Sequence, residues 1–193
     1  MADSLSKFIA IVIAAFLLFI FPVKNEFERQ DETSRMFVLT ETTKFVDSAR
    51  NIGYITPLMY LQFSKGLSAT GNVYEIELEH YHKKYDPIYD DPSVAASFKE
   101  DFSVNYSGTF TDEILKKLFP GDSAVTDRTY KMSKGDYFAV RIYNKNKTIA
   151  TRMQEMVYNT KLPAEKIMVE YGGMVKDEDY WFSDTLYNNY TAI

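Results

Sequence analysis

The chain has 193 residues, 46% of them hydrophobic, with 22 Lys and Arg against 27 Asp and Glu, a formal charge of −5 and a pI near 5.1. That length allows one domain and an appendage, and the apolar share is enough for a folded core. The acidic balance argues against a nucleic-acid partner, whose phosphates would call for a surplus of cations, and the absence of cysteine excludes disulfides, thiolate metal sites and a thiol nucleophile.

The first predicted element is residues 8–23, FIAIVIAAFLLFIFPV, a run without a single charge. As a helix it spans roughly 24 Å, slightly short of the ~30 Å hydrocarbon core of a bilayer. Leu5, the stem of Lys7 and Phe27 can extend it at the two interfaces. No A-x-A pattern follows the run, as a cleaved signal peptide requires, and no face of it is polar, as a buried core helix would be. Residues 1–23 therefore read as an uncleaved single-pass anchor whose partner is the lipid bilayer. The short N-terminal tail suits a signal anchor with the head extracellular or periplasmic. The flanking charges do not dictate that orientation, because Lys24, Arg29 and Arg35 are mixed with Glu26, Glu28, Asp31 and Glu32.

Residues 24–56 continue as an amphipathic helix, with Val38, Phe45, Ala49 and Ile52 on one face and Pro22 permitting a kink at the membrane exit. Residues 57–193 form the head. Thr56-Pro57 is an N-cap followed by proline at the first helical position, opening a helix through Met59, Tyr60, Phe63 and Leu67 that ends at Gly66 or Gly71. From Asn72 to His82 the even positions, Tyr74, Ile76, Leu78, His80 and His82, face the core. The odd ones, with Glu75, Glu77 and Glu79, face water, which is the alternation of a half-buried strand. Tyr85 to Pro92 is predicted as a turn-rich loop and Phe102, Val104 and Tyr106 as a second strand. A short helix starts at Thr111 and stops at Pro120-Gly121. A hairpin turns at Lys134-Gly135 with Phe138, Val140 and Ile142 inward, and residues 148–158 form a helix with Ile149, Met153, Met156 and Val157 as its apolar positions. A last strand covers residues 166–171, turned or bulged by Gly172-Gly173, before an acidic tail from Asp177. The fold class is α+β: a long N-terminal helix, then a small, mainly antiparallel sheet with short helices.

Chemistry-bearing motifs are sparse. His80 and His82 are the only histidines, and their i, i+2 spacing can present two imidazoles to one Zn²⁺. No third ligand lies close in sequence, so a polar rim at the strand end is the plainer reading. Asp86, Asp90 and Asp91 lack the spacing of an EF-hand and read as turn-forming aspartates. The chain carries no G-x-S-x-G elbow, no S-x-x-K with K-T-G and no G-x-x-x-x-G-K, and neither Ser64, Ser123 nor Ser133 suggests a triad. No enzyme activity, metal or cofactor is expected. An anchored hydrolase or metalloprotein using His80 and His82 would be the enzymatic rival.

The apolar run leads into Glu26-Phe27-Glu28-Arg29, and the amphipathic helix ends in Ala49-Arg50-Asn51-Ile52-Gly53. With these motifs, residues 8–60 resemble type IV pilins, and more specifically the TadE-like pseudopilins of tight-adherence pili. Such pilins carry a Gly ahead of the apolar segment for a prepilin peptidase and a Glu within its first residues, and this chain has neither. The resemblance therefore implies a pseudopilin or assembly factor that keeps its N-terminus. It further implies a structural component of a bacterial pilus, secretion or conjugation apparatus, whose partners are other pilin-like or assembly-platform proteins or further copies of itself. Phe8, Ala10, Ala14, Ala15, Phe16 and Pro22 would serve as membrane-anchor and helix-packing residues, with Ala10, Ala14 and Ala15 letting helices approach closely. The alternative is a membrane-tethered extracellular binding or sensor domain.

Overall fold

The computed structural model describes residues 2–91, 93–121, 127–164 and 166–176. The acidic tail from Asp177 and Ser123 lie outside them. The apolar run and its amphipathic sequel form one helix, α1 (Ala2–Ile52), which continues through Pro22 without a break. At ~1.5 Å per residue its 51 residues reach about 77 Å. No domain this small can cover such a length, and the two halves of α1 have different surroundings. Residues 5–19 are exposed on every side, whereas Asp31, Val38, Thr42, Phe45, Val46 and Ala49 are buried on one face. Val46 and Thr42 extend the apolar stripe anticipated from Val38, Phe45 and Ala49, and Ile52 at its end is half-buried.

After α1 a two-residue strand β1 (Tyr54–Ile55) leads to α2 (Pro57–Leu67), whose N-terminus is capped by the Thr56 hydroxyl accepting from the Met59 N–H at 3.3 Å. Gly66 stays inside the helix. A 3₁₀ turn, Ser68–Thr70, closes on Gly71 at φ +75°, the left-handed conformation that glycine adopts without a Cβ penalty. Phe63 of α2 stacks on Phe45 of α1 with ring centroids 4.4 Å apart, and Phe45 meets Phe138 edge-on.

The head is built on a four-stranded antiparallel sheet in the order β3-β2-β5-β6, with β2 (Tyr74–Tyr89), β3 (Phe98–Phe110), β5 (Tyr137–Asn144) and β6 (Met168–Met174). Between them lie α3 (Thr111–Leu118), β4 (Tyr130–Lys131) and α4 (Ile149–Tyr158). Leu78 and His80 of β2, with Phe138, Val140 and Ile142 of β5, are buried on the face that packs against α1 and α2, as their alternation requires. The acidic odd face of β2 is bridged by Arg141, which reaches Glu77, Glu79 and Glu170.

Four expectations change. The loop foreseen at Tyr85 to Pro92 is strand as far as Tyr89: β2 outruns β5 beyond Tyr81 and continues with β3 alone as a two-stranded ribbon. An edge strand tolerates Pro87, which a central strand would reject. The hairpin at Lys134-Gly135 keeps its turn, with Gly135 at φ +88°, but its arms diverge. Thus β4 pairs with β1, while β5 pairs with β2 and β6. Gly172 and Gly173 neither turn nor bulge β6, whose register to β5 is continuous through both. They are needed for close approach: a Cβ on Gly172 would sit 2.5 Å from the Ala139 Cβ, and one on Gly173 2.5 Å from the Arg50 Cζ. Finally, α4 buries Ala150 and Thr151, whereas Ile149, Met156 and Val157 of its apolar stripe are exposed.

Candidate functional site

Two parts of the molecule carry the residues singled out from sequence. The first is the apolar half of α1. Phe8, Ala10, Ala14, Ala15, Phe16 and Pro22 are all exposed, and none of the described residues covers them. By length and composition α1 is the one helix among the described residues able to cross a membrane. At its exit, Glu26 pairs with Arg29 on the exposed side at 3.5 Å, whereas Phe27 is half-buried.

The second group closes α1. Ala49 is fully buried, and Gly53 takes φ +74° while its N–H donates to the Ala49 carbonyl and its own carbonyl accepts from the Met132 N–H. Arg50 donates from Nη1 to Asp47 at 2.8 Å and from Nε to the Met174 carbonyl at 2.9 Å, lying flat over Gly173. The Tyr171 hydroxyl donates to the same Asp47 carboxylate. Arg50 thus fastens the end of α1 to the edge strand β6, while Gly53 ties it to Met132 just after β4.

His80 and His82 meet on a partner that the sequence did not disclose. Asp136, 1% exposed in the turn before β5, receives four donors: His80 Nε2 at 2.9 Å, His82 Nδ1 at 3.0 Å, and the backbone N–H groups of Lys83 at 3.0 Å and Ser133 at 2.8 Å. Because His80 Nε2 faces a carboxylate it carries the proton, and Nδ1 accepts from the Tyr130 hydroxyl at 2.7 Å. Burial pushes the His80 pKa below its ordinary value, against the opposing pull of Asp136. Burial alone would raise the Asp136 carboxyl, but the hydrogen bonds from His82, Lys83, Ser133 and His80 hold it below the usual range. Burial also raises the Tyr130 phenol, which keeps its proton for His80. At neutral pH the node is therefore a buried carboxylate ringed by hydrogen-bond donors, fastening β2, β4 and the turn into β5.

Both His80 nitrogens and the Asp136 oxygens are engaged within the protein, and among the described residues no cluster of three or more His, Asp or Glu offers a metal a ligand set. Ser133 reaches the node through its backbone alone. Asp86, Asp90 and Asp91 are held by Asn105, Lys99 and Ser93 respectively. Asp136 was missed because it sits 56 residues from His80 and follows a glycine in a turn. The one signal for it was that two inward-facing imidazoles require a buried polar partner.

The chain matches no protein-family profile, no curated protein and no solved structure.

Proposed function

We propose that the chain is a membrane-anchored, pilin-like structural or assembly component of a bacterial pilus, secretion or conjugation apparatus, with its head outside the cytoplasm. The observation that supports this reading is the division of α1. One unbroken helix is apolar and uncovered along residues 5–19 and forms part of the core of an antiparallel head along residues 38–49. An anchor continuous with its head holds that head at a fixed height over the bilayer. Ala10 and Ala14, one turn apart, leave a shallow surface on which neighbouring helices can pack closely.

The test is protease accessibility on intact cells and on spheroplasts, with a C-terminal tag. Digestion to a membrane-protected stub of the anchor, before or after outer-membrane removal, is the expected result. Protection in both preparations would place the head in the cytoplasm and sink the proposal.

A second reading, a tethered binding domain, draws on the β2–β3 ribbon. Tyr106, Val104 and Phe102 lie opposite Lys83, Tyr85 and Pro87 on one exposed face of it. Replacing residues 1–30 by an unrelated anchor separates the two, since a tethered receptor keeps its function and a helix-packed assembly component loses it.

A further inference from the structure

The apolar stripe of α4 points away from the protein. Ile149, Met156 and Val157 are 56%, 84% and 48% exposed, and Tyr158 is 60% exposed, while the helix docks on α1 through its polar side. Three contacts set the direction of that docking. The Thr148 hydroxyl donates to Asp31 at 2.7 Å, the Gln154 amide donates to Glu28 at 2.6 Å, and Lys24 Nζ donates to the Tyr158 hydroxyl at 3.3 Å. As α4 advances from 148 to 158, its partners on α1 retreat from 31 to 24. The two helices are therefore antiparallel, and the C-terminus of α4 comes down to the level of Lys24, the first charge after the apolar run. Ten residues of α4 rise ~15 Å, against ~10.5 Å for the seven residues of α1 they accompany, so the end of α4 reaches at least that level. Within the apolar run Ile20 is half-buried, on the same face as Lys24, Phe27 and Asp31, whereas its neighbours are exposed.

We propose that the C-terminal end of α4, at Met156, Val157 and Tyr158, is seated in the headgroup–acyl boundary of the bilayer that α1 crosses, giving the head a second, interfacial hold on the membrane. This inference rests on reading residues 8–23 as a membrane span. The residue types fit the location. Met and Val supply apolar side chains that none of the described residues covers, and a tyrosine at this depth places its ring among acyl chains and its hydroxyl among headgroups. Lys24 beside Tyr158, its Nζ 5.7 Å from the ring centroid, can snorkel to the same plane. Asn159 ends the helix in the left-handed conformation, and Lys161 two residues on is exposed. Two holds on one surface fix the rotation of the head about α1, which a single spanning helix leaves free.

The absence of cysteine makes the test clean. Full-length Val12→Cys, Met156→Cys, Val157→Cys and Ser103→Cys variants are nitroxide-labelled in phosphatidylcholine vesicles, and each label's collision with dissolved oxygen is compared with its collision with a water-soluble nickel chelate. Position 12 reports the span and position 103, on the ribbon, reports water. Labels at 156 and 157 are expected to show an oxygen-to-nickel ratio several-fold above that at 103 and below that at 12. Ratios at 156 and 157 equal to that at 103, with 12 still buried in lipid, overturn the interfacial hold and leave the anchor standing. A water-exposed label at 12 overturns the anchor itself. Spin–spin broadening at 156 that disappears on dilution with unlabelled chain would assign the stripe to a second copy and also refute the proposal.

Discussion

Replacing Asp136 by asparagine tests the polar node directly. The carboxylate accepts four hydrogen bonds on two oxygens, and asparagine offers one oxygen and an NH₂ group that donates. At least one donor loses its acceptor and faces the NH₂ group instead: the Lys83 N–H if the oxygen takes the Oδ2 place, or His80 and the Ser133 N–H if it takes the Oδ1 place. Each hydrogen bond to a charged group contributes about 1.5–3 kcal/mol. Removing the buried charge recovers part of that, so a net loss of about 2–4 kcal/mol is expected. Chemical denaturation of the full chain in detergent micelles, followed by near-UV circular dichroism of its tyrosines, measures it. The pH profile gives an independent signature. The folded His80 pKa lies below its unfolded value of 6.5, so the unfolded chain takes the proton first, and stability falls as the pH drops from about 6.5 towards the folded pKa. The folded Asp136 pKa lies below its unfolded value of 3.8, so its contribution is present above that pH and lost below it. The asparagine variant should lose the second decline. It should keep a steeper first one, because the carboxylate that supports the His80 proton is gone. A cost below about 1 kcal/mol, or a pH profile parallel to that of the unsubstituted chain, would refute the assignment of charge and protons in the node.

Two further substitutions test the joints of α1. Gly173→Ala pushes a Cβ into the Arg50 guanidinium and should destabilise by about 1–3 kcal/mol by thermal unfolding. In an Arg50→Ala background the cost should shrink, and an additive double variant would show that the two residues do not touch. Asp31, 8% exposed, accepts from Thr148 and pairs with Lys166 Nζ at 3.1 Å. Asp31→Ala should accelerate amide exchange across α4 about tenfold or more while leaving β5 protected, and uniform acceleration throughout the head would contradict a local role.

The elements legible in the sequence are those whose signal is local. The alternation of β2 named its inward face, Thr56-Pro57 named the start of α2, and the spacing of Val38, Phe45 and Ala49 named the packed face of α1. Partners distant in sequence stayed hidden. The pairing of β4 with β1 joins Tyr130 to Ile55, and nothing near Lys134-Gly135 distinguishes that from a simple hairpin. The extension of β2 through Asp86-Pro87 escaped notice because turn residues are tolerated where a strand has lost its neighbour on one side. In α4 the periodicity was plain, but period alone does not say whether an apolar stripe meets a core or something outside the chain. The histidine pair was visible, while the aspartate that organises it was not, since proximity in the fold comes from β5 pairing with β2.

The fastening of Arg50 to Met174 spans 124 positions of the chain, and it bears on the order in which the head can form. The buried face of α1 packs against β6, the last described strand, so that face waits for a strand made 124 positions later. At roughly 5–20 residues per second that wait is on the order of 6–25 s. During it, the β2–β3 ribbon and β5 can close through near neighbours and Phe45 can meet Phe63 of α2, while the part of α1 that packs on β6 has no mate. A chain wired in this way folds late and all at once. Truncation anywhere before residue 175 should then leave not a smaller head but an unpacked one, recognisable to the proteases and chaperones that patrol for exposed apolar helix.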